Sequence, residues 1–192
     1  MSGKRSEYSL WLLPGADGQQ RLTALIARLA NRFATQPFIP HVTIQGDLMM
    51  PLAAVSRVAE SIAKDRPAQR WRVAAVEGSE HFFRSLYLRF DETTAYTGCK
   101  KVMQEASGTA DGLSLFPHLS LAYGLSDEQG KRDVIAELSA MIGNEIRFDR
   151  VVVARSSSHV PIAEWACLAE FPFAKANDSS AEGHRKSRRA AY

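Results

Sequence analysis

Two of the five histidines in this 192-residue chain share the same local sentence. Pro40-His41-Val42-Thr43-Ile44-Gln45-Gly46 is matched by Pro117-His118-Leu119-Ser120-Leu121-Ala122-Tyr123-Gly124. A lone His-x-Ser/Thr is weak evidence, because hydroxyl residues are common. The extended form, with Pro before the histidine, aliphatic residues on both sides of the hydroxyl and a glycine beyond, is far more demanding when it occurs twice. In an extended strand, residues i and i+2 face the same way, so His41 shares a face with Thr43 and His118 with Ser120. Val42, Ile44, Leu119 and Leu121 then face a core behind them. Two such strands side by side surround an oxyanion with two imidazoles and two hydroxyl donors.

That set suits phosphodiester hydrolysis without a metal. Imidazole titrates near neutrality, so one ring can take a proton from water while the other gives one to the leaving oxygen. Hydroxyls donate to the non-bridging oxygens as charge builds. The bland alternative is a pair of half-buried strand histidines beside turns, and the matched duplication argues against it. His81, His159 and His184 have no hydroxyl two residues on and read as ordinary solvated side chains. There is no HExxH, no Walker loop and no dinucleotide fingerprint, and the acidic residues do not cluster as two-metal chemistry requires. No cofactor is expected.

The elements that must position these residues follow from periodicity. Glu7 to Leu13 is apolar on both faces, which predicts a central strand, and Pro14-Gly15-Ala16-Asp17-Gly18 reads as the turn that stops it. Leu22, Leu25, Ile26, Leu29 and Phe33 predict a helix. His41 to Ile44 is a short strand, and Val55 to Ile62 a second helix. Trp71 to Val76 and Phe82 to Phe90 read as strands, Thr93 to Ala106 as a helix, and His118 to Ala122 as another short strand. A helical stripe runs from Val134 to Ile142, and strands over Glu145 to Ala154 and Glu164 to Phe171 finish the chain. Strands mixed with helices without regular alternation predict α+β with antiparallel sheet, in two pseudo-equivalent lobes.

Composition bounds the rest. With 45% apolar and 23% charged residues, the chain can build a core, and it has no apolar run long enough to span a bilayer. Lys and Arg number 24 against 21 Asp and Glu, a net charge of +3. Residues 175–192 hold five basic and two acidic residues, so the whole excess lies there, and residues 1–174 balance at 19 of each. A neutral body gives no reason to expect a broad nucleic-acid surface; the tail leaves only a weak RNA contact open. The expected organisation is one bilobal domain over 1–174 and a basic, disordered tail over 175–192. The two cysteines are far apart and read as reduced thiols, and the absence of an apolar leader at the N-terminus suits a cytoplasmic protein. A monomer is the default.

At this point the chain resembles the 2H phosphoesterases, a family with two His-x-Ser/Thr motifs in a duplicated α+β fold. Within it the chain most resembles the plant and fungal cyclic phosphodiesterases. Tyr8-Ser9-Leu10-Trp11-Leu12-Leu13-Pro14, Pro37-Phe38-Ile39-Pro40-His41-Val42-Thr43 and the Pro117–Gly124 segment carry the likeness, over about residues 6–172. The resemblance implies hydrolysis of cyclic phosphates, such as nucleoside 2',3'-cyclic phosphates to 2'-phosphates or the 1'',2''-cyclic phosphate of ADP-ribose. It implies that His118 activates water, that His41 protonates the leaving oxygen, and that Thr43 and Ser120 bind phosphate. Trp11 and Tyr123 match pocket aromatics, with Trp11 a platform for base or ribose. Phe83 and Arg84 are further pocket candidates, the latter as a phosphate cation. A same-fold enzyme acting on 2',3'-cyclic phosphate ends of RNA, and a nucleotide- or RNA-binding module without turnover, are the competing readings.

Overall fold

The computed structural model describes residues 7–174; the basic tail at 175–192 lies outside the described residues. Seven strands form one sheet: β1 (Tyr8–Pro14), β2 (Val42–Leu48), β3 (Gln69–Gly78), β4 (Leu86–Phe90), β5 (His118–Ala122), β6 (Glu145–Arg155) and β7 (Ala166–Pro172). Four helices accompany them: α1 (Ala16–Phe33), α2 (Leu52–Lys64), α3 (Thr94–Ser107) and α4 (Glu128–Glu137). The strand order is β1-β2-β5-β4-β3-β6-β7, every pairing between these strands is antiparallel, and β6 also pairs with β1.

The length of β6 creates the two lobes. Its first residues, Glu145 to Phe148, pair with β3, and the stretch from Phe148 to Arg155 pairs with β1. One strand therefore serves both halves. On the far side, β2 and β5 are joined through the single register pair Val42–Leu119. The sheet is continuous along β6 and nearly divided at β2 and β5, and the pseudo-equivalent lobes meet there with their Pro-His strands adjacent.

The core follows the alternation along the strands. Leu10, Leu12, Val42, Ile44, Leu119 and Leu121 are buried in the main cluster, together with Leu22, Ile26 and Leu29 of α1 and Val55, Ala59 and Ile62 of α2. α1 packs on β1 and β5, α2 on β6 and β7, α3 on β2, and α4 on β3. The opposite face of β1 makes a smaller cluster, in which Trp11 and Leu13 meet Val152 and Ala154. A central strand with apolar residues on both faces is what its sequence predicts, and β1 is flanked by β2 and β6. Cys99 in α3 and Cys167 in β7 are both free. Among the described residues no helix is long and apolar enough to cross a membrane.

Four expected boundaries differ, each for a local reason. The turn expected at residues 14–18 is instead a helix start: Gly15 takes an extended conformation at the cap and Asp17 enters the first turn, where a carboxylate suits the helix N-terminus. The strand expected over Phe82–Phe90 begins only at Leu86, because Phe82–Arg84 is a 3-10 turn. Ser79 Oγ donates to the Arg84 carbonyl at 2.7 Å and Ser85 Oγ to the Phe82 carbonyl at 3.0 Å, which captures backbone oxygens a strand would have used. The stripe ending at Ile142 stops as α-helix at Glu137 and tightens to a 3-10 turn over Leu138–Met141, leaving Ile142 extended and exposed. The last strand starts at Ala166, after a 3-10 turn over Ile162–Glu164.

The loop from Gly108 to Pro117 is anchored rather than free. Gln45, fully buried on β2, donates its amide to the Asp111 carbonyl at 2.6 Å and the Thr109 carbonyl at 3.3 Å. The Gly46 N–H donates to the Gly112 carbonyl at 2.8 Å, and the Ser114 N–H to the Ile44 carbonyl at 3.1 Å. Gly112 has φ +73°, and a Cβ there would stand 2.1 Å from the Gly46 carbonyl oxygen. Gly112→Ala therefore combines a left-handed backbone cost of about 1–2 kcal/mol with a backbone collision. We expect its thermal midpoint to fall by at least about 2 °C, since each kcal/mol moves a domain of this size by about 2–4 °C; an unchanged midpoint would show that the loop does not need this contact.

Candidate active site

The two Pro-His segments build the same local device twice. In Ile39-Pro40-His41, the histidine Nδ1 lies 2.6 Å from the Ile39 carbonyl; in Phe116-Pro117-His118, Nδ1 lies 3.0 Å from the Phe116 carbonyl. A carbonyl only accepts, so Nδ1 is the protonated nitrogen in both rings and Nε2 carries the lone pair in the neutral form. The intervening prolines fix φ and hold the preceding residue extended, which turns each carbonyl back onto its own histidine. Ser114 Oγ stands 3.4 Å from His118 Nδ1 as a further partner.

Strand register then sets the cross-strand neighbours. With Val42 opposite Leu119, antiparallel pairing puts His41 across from Ser120 and Thr43 across from His118. Each imidazole thus faces the hydroxyl of the other motif. Trp11 on β1 pairs with Thr43, and on β4 Arg89 pairs with His118 and Tyr87 with Ser120.

These residues open onto one cavity of about 510 Å³. His41, Thr43, His118, Ser120, Trp11, Tyr123, Phe83 and Arg84 all line it. Phe83 and Arg84 do so although adjacent in sequence. In the strand expected there they would point to opposite sides; the 3-10 turn presents both to the cavity.

Burial governs the electrostatics. His41 is lowered to about 4, first by desolvation and further by the charge of His118, with the Ile39 hydrogen bond opposing. His118 is also lowered to about 4, first by desolvation and then by Arg84 and His81, with the Phe116 bond opposing. Both rings are therefore neutral at pH 7. Desolvation also raises the Tyr123 phenol well above its ordinary value against a smaller opposing effect of the neighbouring Ser120 hydroxyl, so Tyr123 keeps its proton.

The aromatic neighbours have specific geometry. Trp11 stacks on His41 with centroids 3.8 Å apart and planes 13° from parallel. One face of Trp11 is thus occupied by imidazole, and although the residue lines the cavity it is only 1% exposed. The stack holds the His41 ring. Tyr123 stacks on Phe38 at 4.0 Å. Phe83 lies 6.2 Å from Trp165, with planes 24° apart. Arg84 lies over the Phe116 ring at 5.5 Å. Ser120 Oγ donates to the Phe83 carbonyl at 2.9 Å, tying the second motif to the 3-10 turn.

Several wall residues were not legible in the sequence. His81 reads as an ordinary turn histidine, yet it lines the cavity and lowers His118. Trp165 reads as part of a strand but is held in the wall by Nε1 donating to the Val160 carbonyl at 3.0 Å. Ser114, Gly112 and the Ser156-Ser157-Ser158 run also line it. The serine run, following an apolar strand, was the one local signal available.

A bilobal antiparallel α+β fold with two His-x-Ser/Thr strands facing one cavity defines a 2H phosphoesterase. The family described as cyclic phosphodiesterase-like protein matches residues 7–172, and the chain belongs to it. The chain is 23% identical over 171 residues to the cyclic phosphodiesterase of Arabidopsis thaliana, covering 86% of this chain and 94% of that one. Its fold is similar to TT0787 of Thermus thermophilus, with TM-score 0.59, 12% identity, and 88% and 99% of the two chains covered. Escherichia coli LigT, in its structure with 3'-AMP, has TM-score 0.54 at 10% identity over 89% of this chain and 99% of that one.

The buried imidazoles make stability depend on pH. Unfolded chains take up these protons near 6.5 and the folded protein only near 4, so between those values the unfolded state holds more protons. Folding stability should fall as pH drops from about 6.5 to about 4 and lose this dependence on either side. Denaturation midpoints of the wild type and of a His41→Gln/His118→Gln variant, measured across that window, check this; equal slopes would locate the acid loss in other groups.

Proposed function

We propose that the protein hydrolyses small cyclic phosphodiesters, with nucleoside 2',3'-cyclic phosphates and ADP-ribose 1'',2''-cyclic phosphate as the substrate class, without a metal ion. The observation that carries this reading is the pairing of two neutral imidazoles, each with Nδ1 bonded to its own backbone and Nε2 left for chemistry, across one cavity. Membership of the cyclic phosphodiesterase-like family supports it. LigT has been solved with 3'-AMP and with phosphate, which supports a nucleotide-phosphate ligand for this fold.

The two rings differ enough to support distinct roles. Arg84 and His81 lie close enough to His118 to disfavour its imidazolium, which suits a base. His41 holds the shorter bond to a carbonyl, 2.6 Å against 3.0 Å, and such a bond strengthens when the ring is protonated. A bound phosphodiester anion raises the imidazole that faces it. In the reaction, His118 Nε2 takes a proton from water as the water oxygen bonds phosphorus. The bond from phosphorus to the ring ester oxygen breaks, and His41, which takes up a proton at Nε2 from solvent when the anion binds, delivers that proton to the oxygen. For a 2',3'-cyclic nucleotide the product is the 2'-phosphate when the 3' ester opens.

Thr43 and the Ser120–Tyr123 pair supply hydroxyls to the non-bridging oxygens, and Arg84 adds the cation. Ser120 donates to Phe83 in the free protein, so its hydroxyl must turn to serve a phosphate. The neutral charge balance of residues 1–174 supports a small ligand over a polynucleotide, whose binding would rest on many phosphate contacts.

Purified protein should hydrolyse cyclic nucleotides at an unchanged rate with EDTA present. His41→Ala and His118→Ala should each lose about 10²–10⁴ in kcat, with the double variant little worse than either. Turnover of none of the cyclic phosphates by the wild type would reject the enzyme reading, and loss with chelator alone would reject the metal-free route.

A further inference from the structure

The cavity has two chemically different ends. One holds the imidazoles and Arg84, the only Lys or Arg among its described lining residues. The other holds Ser9, Gly46, Asp47 and Ser156, Ser157 and Ser158. Ser9 is two residues from Trp11 on the same face of β1, so this end lies roughly 7 Å along the sheet from the Trp11–His41 stack.

Hydrogen bonding at this end is incomplete in a defined way. Ser9 Oγ donates to the Ser156 carbonyl at 3.1 Å, leaving its oxygen as an acceptor. Ser157 Oγ accepts from the His159 N–H at 3.1 Å, leaving its proton to donate. Asp47 Oδ1 accepts from the Ser158 N–H at 3.0 Å and from Ser158 Oγ at 3.3 Å. These two bonds brace Asp47 in the left-handed region, φ 50°, which leaves Oδ2 as an acceptor. Ser156 lines the cavity, but it is 2% exposed and its Oγ is turned out of the open space with no partner among the described residues. An unsatisfied buried hydroxyl costs about 1–3 kcal/mol, so a turn about χ1 that lets a ligand in the cavity satisfy it is favoured.

Resting on the phosphodiesterase reading of the same cavity, we propose that Ser9, Asp47, Ser156 and Ser157 form a second subsite that takes the uncharged, hydrogen-bonding part of the ligand. The group it fits presents N–H or O–H to the Asp47 carboxylate and an oxygen or ring nitrogen to the serine hydroxyls. A nucleobase edge and sugar hydroxyls share that chemistry. A second phosphate does not fit, because the only formal charge there is negative.

The test uses Ser156→Ala and Asp47→Asn in the full chain, with Asn chosen because it tolerates the left-handed backbone. Binding of adenosine, guanosine, cytidine and uridine 2'-phosphates and of base-free ribose 2-phosphate is measured by calorimetry, alongside thermal midpoints. We expect Ser156→Ala to weaken binding about five- to ten-fold while its thermal midpoint stays level or rises, since it removes an unpartnered buried hydroxyl. Asp47→Asn should weaken binding similarly. A loss seen with nucleotides alone assigns the subsite to the base edge; a loss seen also with ribose 2-phosphate assigns it to sugar hydroxyls. Wild-type affinity for every ligand in both variants would overturn the proposal, as would a lowered Ser156→Ala midpoint with binding intact. Binding without turnover of any cyclic phosphate by the wild type would reject the enzymatic reading and leave the subsite standing; no binding by the wild type would reject the subsite too.

Discussion

The arrangement of this protein turns on one pair of residues, Val42 and Leu119. Their pairing is the register contact that joins β2 to β5, and each lies one position after a motif histidine. Slipping β5 by one residue would turn Ser120 toward the core and Leu119 into the cavity, and slipping β2 would do the same to Thr43 and Val42, because side chains alternate along a strand. The core forbids that slip: Val42, Ile44, Leu119 and Leu121 are all fully buried. Packing of the aliphatic half of each motif thus fixes where its polar half stands. His41 and Thr43 of one segment and His118 and Ser120 of the other line the same cavity.

A consequence is that the site carries a large desolvation penalty. Two imidazoles are withdrawn from water and held uncharged, with backbone carbonyls as their principal hydrogen-bond partners. Family membership supports a phosphodiesterase. Under the proposed function its attraction for phosphate is local, assigned to Arg84, the imidazoles and the hydroxyls within a body whose acidic and basic residues balance. The surrounding aromatic residues exclude water and fix rings. Trp11 illustrates this, since its stacking on His41 commits to orientation a face that would otherwise be open to a ligand.

The fold was legible where a repeating pattern carried it. The two-faced apolar strand at β1 and the stripe on α1 read directly, because burial imposes a period on long segments. Short segments were less readable. Phe82 to Arg84 has strand composition and forms a 3-10 turn because Ser79, Ser85 and Gly124 capture its carbonyls. Ala16 to Gly18 has turn composition and opens a helix because Gly15 caps it and its N–H is held by the Arg147 carbonyl. In both cases the deciding partner is a specific donor or acceptor, and residue composition does not show it.

The side chains to which the proposed chemistry is assigned are written locally in the chain: two imidazoles and two hydroxyls, each pair on one strand face, each histidine preceded by proline. The i, i+2 relation that sets those faces involves near neighbours alone and survives any tertiary arrangement. The folded arrangement was needed to bring His41 opposite Ser120 and Thr43 opposite His118, to place His81 and Trp165 in the wall, and to close the other end with a serine and aspartate cluster. Those facts depend on which distant segments share the β2–β5 and β1–β6 pairings. Pairing is set by the packing of the whole core, and no window of neighbouring residues contains it.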